Sequence, residues 1–407
     1  MNYIKRDIEK TILDVSKSYA SLIVTGPRQV GKSTTLRQIA EKNRNEVSLD
    51  DLEARRLAKT DPEMFLSIHK PPLLIDEVQY APEIFSQIKI EIDHGAPPGS
   101  YWMTGSQSFR LMELAQESLA GRVAILRMPP LSQREIYGGE KQEPLTLEIS
   151  KLQSRTKGRE AIDTIPQYER IWKGSLPGHV SGQFPQREIF YSSYLSTYIG
   201  RDIRDIYERV DSLRFEDFIR AAACRTGQML NVHDIALDVG VSDETAKRWL
   251  SLLEKSDVIF YLHPFLNNLL KRTVKTPKMY FFDTGLVAYL TKYSSPEILM
   301  NGAINGTILE NYVVSEIMKS YHNQGFDFIC HYYRDKDNKE IDLVMESDGF
   351  LHPIEIKKSA SPPAELARTF KLLDKANLQR GAGAIICMKK EITAIDRNTL
   401  IIPVWVL

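Results

Sequence analysis

Short apolar runs alternate with segments of helical periodicity along the first 130 residues of the chain. Each run spans five to seven residues, which is typical of buried parallel strands joined by helices. The pattern predicts strands at residues 21–25, 46–50, 72–76, 101–105 and 122–128. We therefore expect an α/β domain with a parallel sheet at residues 1–135.

The pattern changes after this domain. Residues 138–167 are polar and charged, and we predict an irregular connection or a mobile lid there, within a helical lid or linker at residues 136–215. A long amphipathic helix is predicted at residues 187–210. Residues 216–300 have two short helical segments followed by two strand-like runs, which predicts a winged helix. Residues 301–407 return to an α/β pattern.

Composition narrows the possible classes of protein. The 407 residues include 53 basic and 53 acidic ones, so the net charge of zero excludes nucleic-acid binding by bulk charge. The apolar runs are shorter than the roughly 18 residues that a membrane helix needs, and the first residues do not resemble a secretory signal. Cys224, Cys330 and Cys387 are far apart and are expected to be reduced core thiols, in a cytoplasmic protein without structural zinc.

The segment GPRQVGKS at residues 26–33 matches the phosphate-binding loop G-x-x-x-x-G-K-[ST]. An apolar strand precedes it and a helical segment follows it, so backbone N–H groups and the helix dipole would face a phosphate. We expect Lys32 to bind the β- and γ-phosphates of ATP and Ser33 to ligate Mg²⁺. The predicted nucleotide contacts in this loop are Gly26, Pro27, Arg28, Gln29, Val30, Gly31, Lys32, Ser33 and Thr34.

Asp76 and Glu77 follow the third predicted strand, as in a Walker B motif. Asp76 is expected to hold Mg²⁺ and Glu77 to orient the attacking water. Thr104, at the end of the next strand, is the candidate sensor of the γ-phosphate. Phosphoryl transfer also uses a positive charge near the γ-phosphate, and the first candidate is Arg122, from the same chain or from another subunit.

Other candidates for that charge are Arg28, Arg201 and Arg204. Arg201 and Arg204 stand beside Asp202 and Asp205. A solvated, salt-bridged face therefore explains these two arginines at least as well.

A second set of polar residues lies near the C-terminus. Glu310 is on a predicted helix, Asp342 is on a strand, and Glu355 and Lys357 are two residues apart on the next strand. Residues two apart on a strand share a face, so Glu355 and Lys357 would point together toward Asp342. Three carboxylates make a hard oxygen site for Mg²⁺ or Mn²⁺, and the lysine could orient water or offset charge.

This order of residues resembles the PD-(D/E)XK nuclease superfamily, although Ile341 stands where that family has proline. The resemblance implies a mixed sheet between helices, with Glu310, Asp342 and Glu355 as metal ligands and Lys357 as a catalytic residue. The fold class is then a P-loop NTPase sheet of the ASCE or AAA type, a winged-helix middle and a restriction-endonuclease-like α/β domain. The alternative is a nuclease-like fold that serves recognition or assembly without cutting.

The whole chain resembles the AAA-type ATPases of bacteria and archaea whose C-terminal half is a domain of unknown function. The segments that carry the resemblance include YIKRDIEK, GPRQVGKSTTL, LLIDEVQ, MTGSQSF, LAGRV, YIGRDI, FFDTGL and ENYVVSEI, followed by EIDLV and PIEIKKS. The family implies an ATP-binding core, a winged-helix segment and a nuclease-like end.

Binding of DNA is suggested by basic residues in the predicted winged helix. Those on the predicted wing are Lys271, Arg272, Lys275 and Lys278, and Lys247 and Arg248 lie on the second helix. Asp243 and Glu244 argue against DNA binding, because they begin the helix that would approach the bases. A solvated basic face or a protein-binding module remains an alternative.

Two functions remain open from the sequence. In the first, ATP hydrolysis drives DNA handling, with or without metal-dependent cleavage. In the second, the chain is a nucleotide-dependent switch that assembles with a protein partner or with further copies of itself. A small-molecule kinase is poorly supported, because nothing after the Walker B strand offers an acceptor pocket.

Overall fold

The computed structural model describes residues 3–105, 118–138, 143–198, 212–265, 276–335 and 337–407. The chain divides into two compact units. The first comprises Met1–Leu131 with Lys255–Val258 and His322–Phe326, and the second comprises the remaining residues. None of the helices in the described part of the chain has the length and hydropathy that a membrane-spanning helix needs.

The first unit contains a parallel five-stranded sheet in the order β2-β3-β4-β1-β5. Its strands are β1 (Ser21–Thr25), β2 (Asn45–Ser48), β3 (Leu73–Asp76), β4 (Tyr101–Gly105) and β5 (Val123–Arg127). The described helices of this unit are Ile8–Ser16, Lys32–Ile39, Leu52–Thr60, Pro62–Ile68 and Ile84–Asp93, with a 3₁₀ turn at Val78–Tyr80. All five predicted strands are present within two residues of their predicted ends. One strand, β4, lies between the P-loop strand and the Walker B strand, as the ASCE prediction requires.

The polar segment at residues 138–167 was predicted to be an irregular connection or a mobile lid. Gly138 and residues 143–148 and 157–163 are irregular, but the remaining described residues of the segment are helical. A helix spans Ile149–Thr156, and a second helix starts at Thr164. Leu145, Leu147 and Leu152 are buried, and the Leu145 N–H donates to the Ser320 hydroxyl. Three leucines at suitable spacing are enough to pack a segment whose average composition is polar.

Between the first unit's sheet and the C-terminal sheet, the described elements are mostly helices. The helices are Gln133–Tyr137, Ile149–Thr156, Thr164–Lys173, Pro177–Val180, Arg187–Tyr198, Ser212–Ala223, Val232–Val239 and Asp243–Lys255. The predicted helix at residues 187–210 is described as far as Tyr198, and residues 199–210 lie outside the described ranges. Tyr191 and Tyr194 are buried, so this helix contributes aromatic side chains to the core.

The middle of the chain also contains a small antiparallel sheet. It consists of β6 (Gln228–Met229), β7 (Ile259–Leu262) and β8 (Lys278–Phe281), in the order β6-β8-β7. Ser242 caps the helix Asp243–Lys255 by accepting from the Thr245 N–H. Trp249, Leu250 and Leu253 of this helix are buried. Cys224 is exposed, so the prediction that all three cysteines lie in the core is wrong for this residue.

The C-terminal part contains a mixed sheet. Its strands are β9 (Cys330–Arg334), β10 (Glu340–Ser347), β11 (Phe350–Lys357), β12 (Gln379–Arg380), β13 (Gly383–Cys387), β14 (Thr393–Asp396) and β15 (Thr399–Pro403). The order is β14-β15-β13-β11-β10-β9, with β12 beside β11. The helices are Thr284–Leu290, Pro296–Asn301 and Asn305–His322, and 3₁₀ segments span Ala364–Lys375 and Val404–Val406. Asp283 caps the first of these helices, because its side chain accepts from the Leu286 N–H.

Candidate functional sites

The P-loop between β1 and the helix Lys32–Ile39 is shaped by two glycines. Gly26 has φ +143°, and a Cβ on it would lie 2.2 Å from the Met128 carbonyl oxygen. Gly31 has φ +91° and precedes the first residue of the helix. Side chains are disfavoured at both φ values, and at Gly26 the neighbouring backbone also leaves no space. The loop therefore packs closely against the segment after β5.

Arg6 links the P-loop to that same segment. Its guanidinium donates to the Val30 carbonyl at 2.8 Å and to the Pro129 carbonyl at 2.7 Å, and the residue is buried. The sequence analysis assigned Arg6 no role, because its partners are 24 and 123 residues away. The structure makes it a positioning residue of the nucleotide site.

The Lys32 ammonium lies inside the loop. It donates to the carbonyl oxygens of Gly26 at 2.9 Å and Pro27 at 2.8 Å. A buried positive charge surrounded by loop backbone and a helix N-terminus suits a phosphate group. The residues present therefore fit the predicted nucleotide phosphates.

The Walker B carboxylate meets the P-loop serine. The Ser33 hydroxyl donates to Asp76 Oδ1 at 2.6 Å, and the Thr104 hydroxyl donates to the same oxygen. Hydroxyl and carboxylate oxygens are the hard ligands that Mg²⁺ prefers, so Ser33 and Asp76 fit this ion. Arg37, which the sequence analysis did not consider, places Nη2 3.7 Å from Asp76 Oδ2 and pairs with Glu46.

Glu77 is held in an unusual local geometry. Its backbone is left-handed, with φ 57° and ψ 47°, and its N–H donates to the Thr104 hydroxyl at 3.2 Å. The buried Gln79 amide donates to the Glu77 carboxylate. Thr104 thus connects both acidic residues of the Walker B motif. The sensor role predicted for its hydroxyl would require it to leave these partners.

Arg122 lies at the end of the sheet opposite the P-loop, so it is too far away to act on the γ-phosphate bound by its own chain. It precedes β5, where its carbonyl accepts from Ser21, whereas the P-loop follows the other end of β1. Five strand residues separate these ends by roughly 13 Å. Arg122 instead pairs with Asp93 at 2.6 Å. A role across a subunit boundary stays a prediction.

Arg28 lies in the P-loop, half-buried. It therefore remains a candidate for the charge near the γ-phosphate from within the chain. Arg201 and Arg204 fall outside the described residues.

The C-terminal residues Asp342, Glu355 and Lys357 are brought together by the pairing of β10 with β11. Leu343 pairs with Ile354, which puts Asp342 opposite Glu355. The Lys357 ammonium lies 3.0 Å from Asp342 Oδ2 and 2.7 Å from Glu355 Oε2. The Ile356 N–H also donates to Asp342 Oδ2.

Glu310 is engaged by two residues of β8. Its Oε1 accepts from the Lys278 ammonium at 2.8 Å and from the Tyr280 hydroxyl at 2.6 Å. Lys278 also lies 2.5 Å from Glu340. The Asp342 charge acts electrostatically on Lys278, Glu310 and Tyr280. These groups therefore form one cluster with Lys357 and the two carboxylates that Lys357 contacts. We call it the carboxylate cluster; its members are Lys278, Tyr280, Glu310, Glu340, Asp342, Glu355 and Lys357.

Burial controls the protonation of this cluster. Burial and then the nearby Asp342 charge raise the pKa of Glu355 to about 8. Burial also raises the pKa of Glu310, to about 6, although Lys278 opposes the shift. Burial would lower the pKa of Lys278, but Glu310, Glu340 and Asp342 outweigh it and raise that pKa. Both carboxyl groups therefore favour the protonated form more than exposed ones do.

Lys278 was predicted to belong to a basic patch on the wing, and this prediction is wrong. Its side chain is 5% exposed and bound to two carboxylates, so it cannot meet a DNA phosphate. The other members of the predicted patch, Lys271, Arg272 and Lys275, lie outside the described residues. Among the described residues, no group of three or more histidine, cysteine, aspartate or glutamate side chains has an arrangement suited to a metal ion.

Comparison with protein families finds three matches along the chain. Residues 18–137 match the AAA domain, residues 166–297 match a domain of unknown function (DUF8612), and residues 305–407 match another (DUF4143). The resemblance to AAA-type ATPases with a C-terminal domain of unknown function is thereby confirmed. The resemblance to nucleases stays a prediction.

The individual proteins that resemble this chain carry less information about it than the family matches do. Uncharacterized proteins Mb2031c of Mycobacterium bovis and Rv2008c of Mycobacterium tuberculosis are each 27% identical over 358 residues, covering 87% of this chain and 74% of theirs. The Walker-type ATPase PABY2304 of Pyrococcus abyssi covers 71% of this chain and 96% of its own at 15% identity, with a TM-score of 0.44. Protein VC1899 of Vibrio cholerae covers 91% of this chain and 89% of its own at 12% identity, with a TM-score of 0.17. Neither TM-score is high enough to argue from.

Replacing Gly26 by alanine is expected to distort the P-loop, because the added Cβ meets the Met128 carbonyl. We expect ATP affinity to fall at least about tenfold and the free energy of unfolding to fall by about 2 kcal/mol. Calorimetric titration with ATP and urea denaturation would measure both. Gly95→Ala is the matched control, because Gly95 has φ +96° but no atom within 4 Å of the added Cβ. Equal ATP affinities in the two variants would contradict the expectation.

The free energy of unfolding is expected to fall as pH rises between about 4.5 and 8 because of Glu355. Its pKa is raised to about 8 in the folded chain, so the folded state keeps a proton that the unfolded state has released. Glu355→Gln should remove a slope of up to about 1.4 kcal/mol per pH unit. Urea denaturation at several pH values, without divalent cations, measures the slope.

The exposed Glu365→Gln serves as the control for this pH experiment. In Glu365→Gln, the free energy of unfolding should fall with pH at the same rate as in the wild type. An identical slope in the wild type and Glu355→Gln would rule out the assignment to Glu355.

Proposed function

We propose that this chain, which carries an AAA-type P-loop ATPase domain at residues 18–137 and the domain of unknown function DUF4143 at residues 305–407, couples ATP hydrolysis to DNA handling. The ATPase part is supported by the AAA match together with one observation. The P-loop serine and the Walker B aspartate share a hydrogen bond of 2.6 Å, with Lys32 buried in the loop beside them.

The residues of the site divide the work of hydrolysis. Lys32 and the loop N–H groups would bind the β- and γ-phosphates of ATP, and Ser33 and Asp76 would hold Mg²⁺, which neutralises charge on the phosphate oxygens when bound. Glu77 would orient a water molecule toward the γ-phosphorus and accept its proton. The water oxygen would form a bond to the γ-phosphorus while the bond from that phosphorus to the β–γ bridging oxygen breaks. ADP would leave with that electron pair, and inorganic phosphate would be the second product. Thr104 and Gln79 position the two carboxylates.

Glu77→Gln is expected to bind ATP with nearly unchanged affinity but to hydrolyse it about 100-fold more slowly, because the amide cannot accept the proton. Steady-state phosphate release and ATP titration measure the two quantities. Lys32→Ala should lose binding as well. Glu83→Gln, an exposed glutamate six residues away, should behave as the wild type. Unchanged turnover in Glu77→Gln would remove Glu77 from the mechanism.

Two features support the DNA part of the proposal. The helix–strand–helix–helix–strand–strand order of residues 212–281, with β8 between β6 and β7, agrees with a winged helix. Lys247 and Arg248 are exposed on its helix Asp243–Lys255. The mixed sheet with Asp342, Glu355 and Lys357 on neighbouring strands agrees with a nuclease-like fold.

A second candidate is recognition by the C-terminal domain without cleavage. It is favoured by the lysine contacts, since Lys278 and Lys357 occupy carboxylate oxygens that metal ions would need. As arranged, the cluster does not fit a divalent cation, and we derive no cleavage step from it. We therefore place the DNA role in binding.

DNA is expected to raise the rate of ATP turnover several-fold in the wild type, with an effect that weakens as salt rises. Labelled single- and double-stranded DNA should stay uncut with Mg²⁺ or Mn²⁺, with and without ATP. Turnover indifferent to DNA would favour the switch that assembles with a protein partner.

The cleavage experiment needs matched variants. Lys357→Ala is compared with Lys358→Ala, because the neighbouring Lys358 ammonium contacts the Met300 carbonyl instead of the cluster. If the wild type cuts DNA, Lys357→Ala does not and Lys358→Ala still does, the chain is a nuclease. Its response to Lys32→Ala would then show whether ATP controls it.

A further inference from the structure

Lys278 occupies a position in the carboxylate cluster that no motif of the chain predicts. It lies on β8, outside the C-terminal segment that supplies Glu310, Asp342, Glu355 and Lys357. Its ammonium is 2.8 Å from Glu310 and 2.5 Å from Glu340, and its side chain is 5% exposed. A buried cation between two carboxylates does the electrostatic work that a divalent cation does in a metal site.

One carboxylate oxygen of Glu310 and one of Asp342 each accept two hydrogen bonds already. Glu310 Oε1 accepts from Lys278 and from the Tyr280 hydroxyl. Asp342 Oδ2 accepts from Lys357 and from the Ile356 N–H. A carboxylate oxygen has two lone pairs, so neither oxygen has one left for a metal ion.

Charge balance also limits the cluster. Four acidic side chains, those of Glu310, Glu340, Asp342 and Glu355, face two lysines and, at Glu340, Arg334. Removal of the Lys278 ammonium would leave the half-buried Glu310 without its cation and the half-buried Glu340 with Arg334 alone, 3.5 Å from its Oε2. Uncompensated buried carboxylates either take up protons or bind a cation.

We propose that Lys278 takes the place of a divalent cation in the carboxylate cluster, so that the wild-type chain binds none there and loss of the ammonium creates a divalent-cation site. The site would consist of hard carboxylate oxygens from Glu310, Glu340 and Asp342. Mn²⁺ is a suitable probe, because such oxygen sites accept it and its binding is directly measurable. The inference concerns cation binding and does not depend on DNA or ATP.

The test measures Mn²⁺ binding without nucleotide, by the loss of the free-ion paramagnetic resonance signal, together with the thermal unfolding midpoint. In the wild type we expect weak binding that Glu310→Gln does not alter. In Lys278→Ala we expect a lower midpoint that Mn²⁺ raises, and one Mn²⁺ per chain bound at least about tenfold more tightly. Lys278→Arg keeps the charge and should bind as the wild type.

Several outcomes would overturn the proposal. One is tight Mn²⁺ binding to the wild type that Glu310→Gln abolishes. Another is a folded Lys278→Ala protein that gains no Mn²⁺ site. A third is a Mn²⁺ site in Lys278→Ala that persists when Glu310→Gln is added to that variant. If Lys278→Ala does not fold, Lys278→Gln and the comparison of wild type with Glu310→Gln still decide the question. The DNA proposal is judged separately, by ATP turnover.

Discussion

The interposed strand β4 is the constraint on which the nucleotide site depends. With the order β2-β3-β4-β1-β5, the P-loop and the Walker B carboxylate emerge at the same edge of a parallel sheet. Thr104, at the end of β4, then lies between them and contacts both Asp76 and the Glu77 backbone. Arg6 and Gly26 fix the other side of the loop against the segment after β5. The site is thus positioned by backbone packing before any nucleotide contact.

The second unit follows a different rule, the balance of buried charge. Four carboxylates cluster beside two lysines and a buried tyrosine, and burial raises the pKa of Glu310 and Glu355. Such a cluster is stable only if cations are supplied, because desolvated carboxylates repel one another. The chain supplies them itself, as Lys278, Lys357 and Arg334. This is the physical reason to separate the nuclease-like arrangement of residues from the ability to bind metal.

Local patterns predicted much of this protein and failed where partners are distant in the chain. The strands of the parallel sheet, the P-loop and the pair Asp342 and Glu355 follow from short motifs with strong local signals. The polar segment around Ile149–Thr156 was misjudged because three buried leucines outweigh its average composition. For Arg122, the choice between a role within the chain and one across a subunit boundary could not be made from the sequence, because the sequence does not show at which end of the sheet a residue near a strand lies.

The sequence by itself determined the elements and the residue types of both sites, because periodicity, glycine loops and strand alternation are local properties. It even held a signal that was overlooked: Lys278 and Tyr280 alternate on β8, as Glu340 and Asp342 do on β10, so each pair shares a face. Only the tertiary structure decided that these faces meet. The pairing joins residues more than 30 positions apart, and no local pattern encodes which buried carboxylate a distant lysine will neutralise.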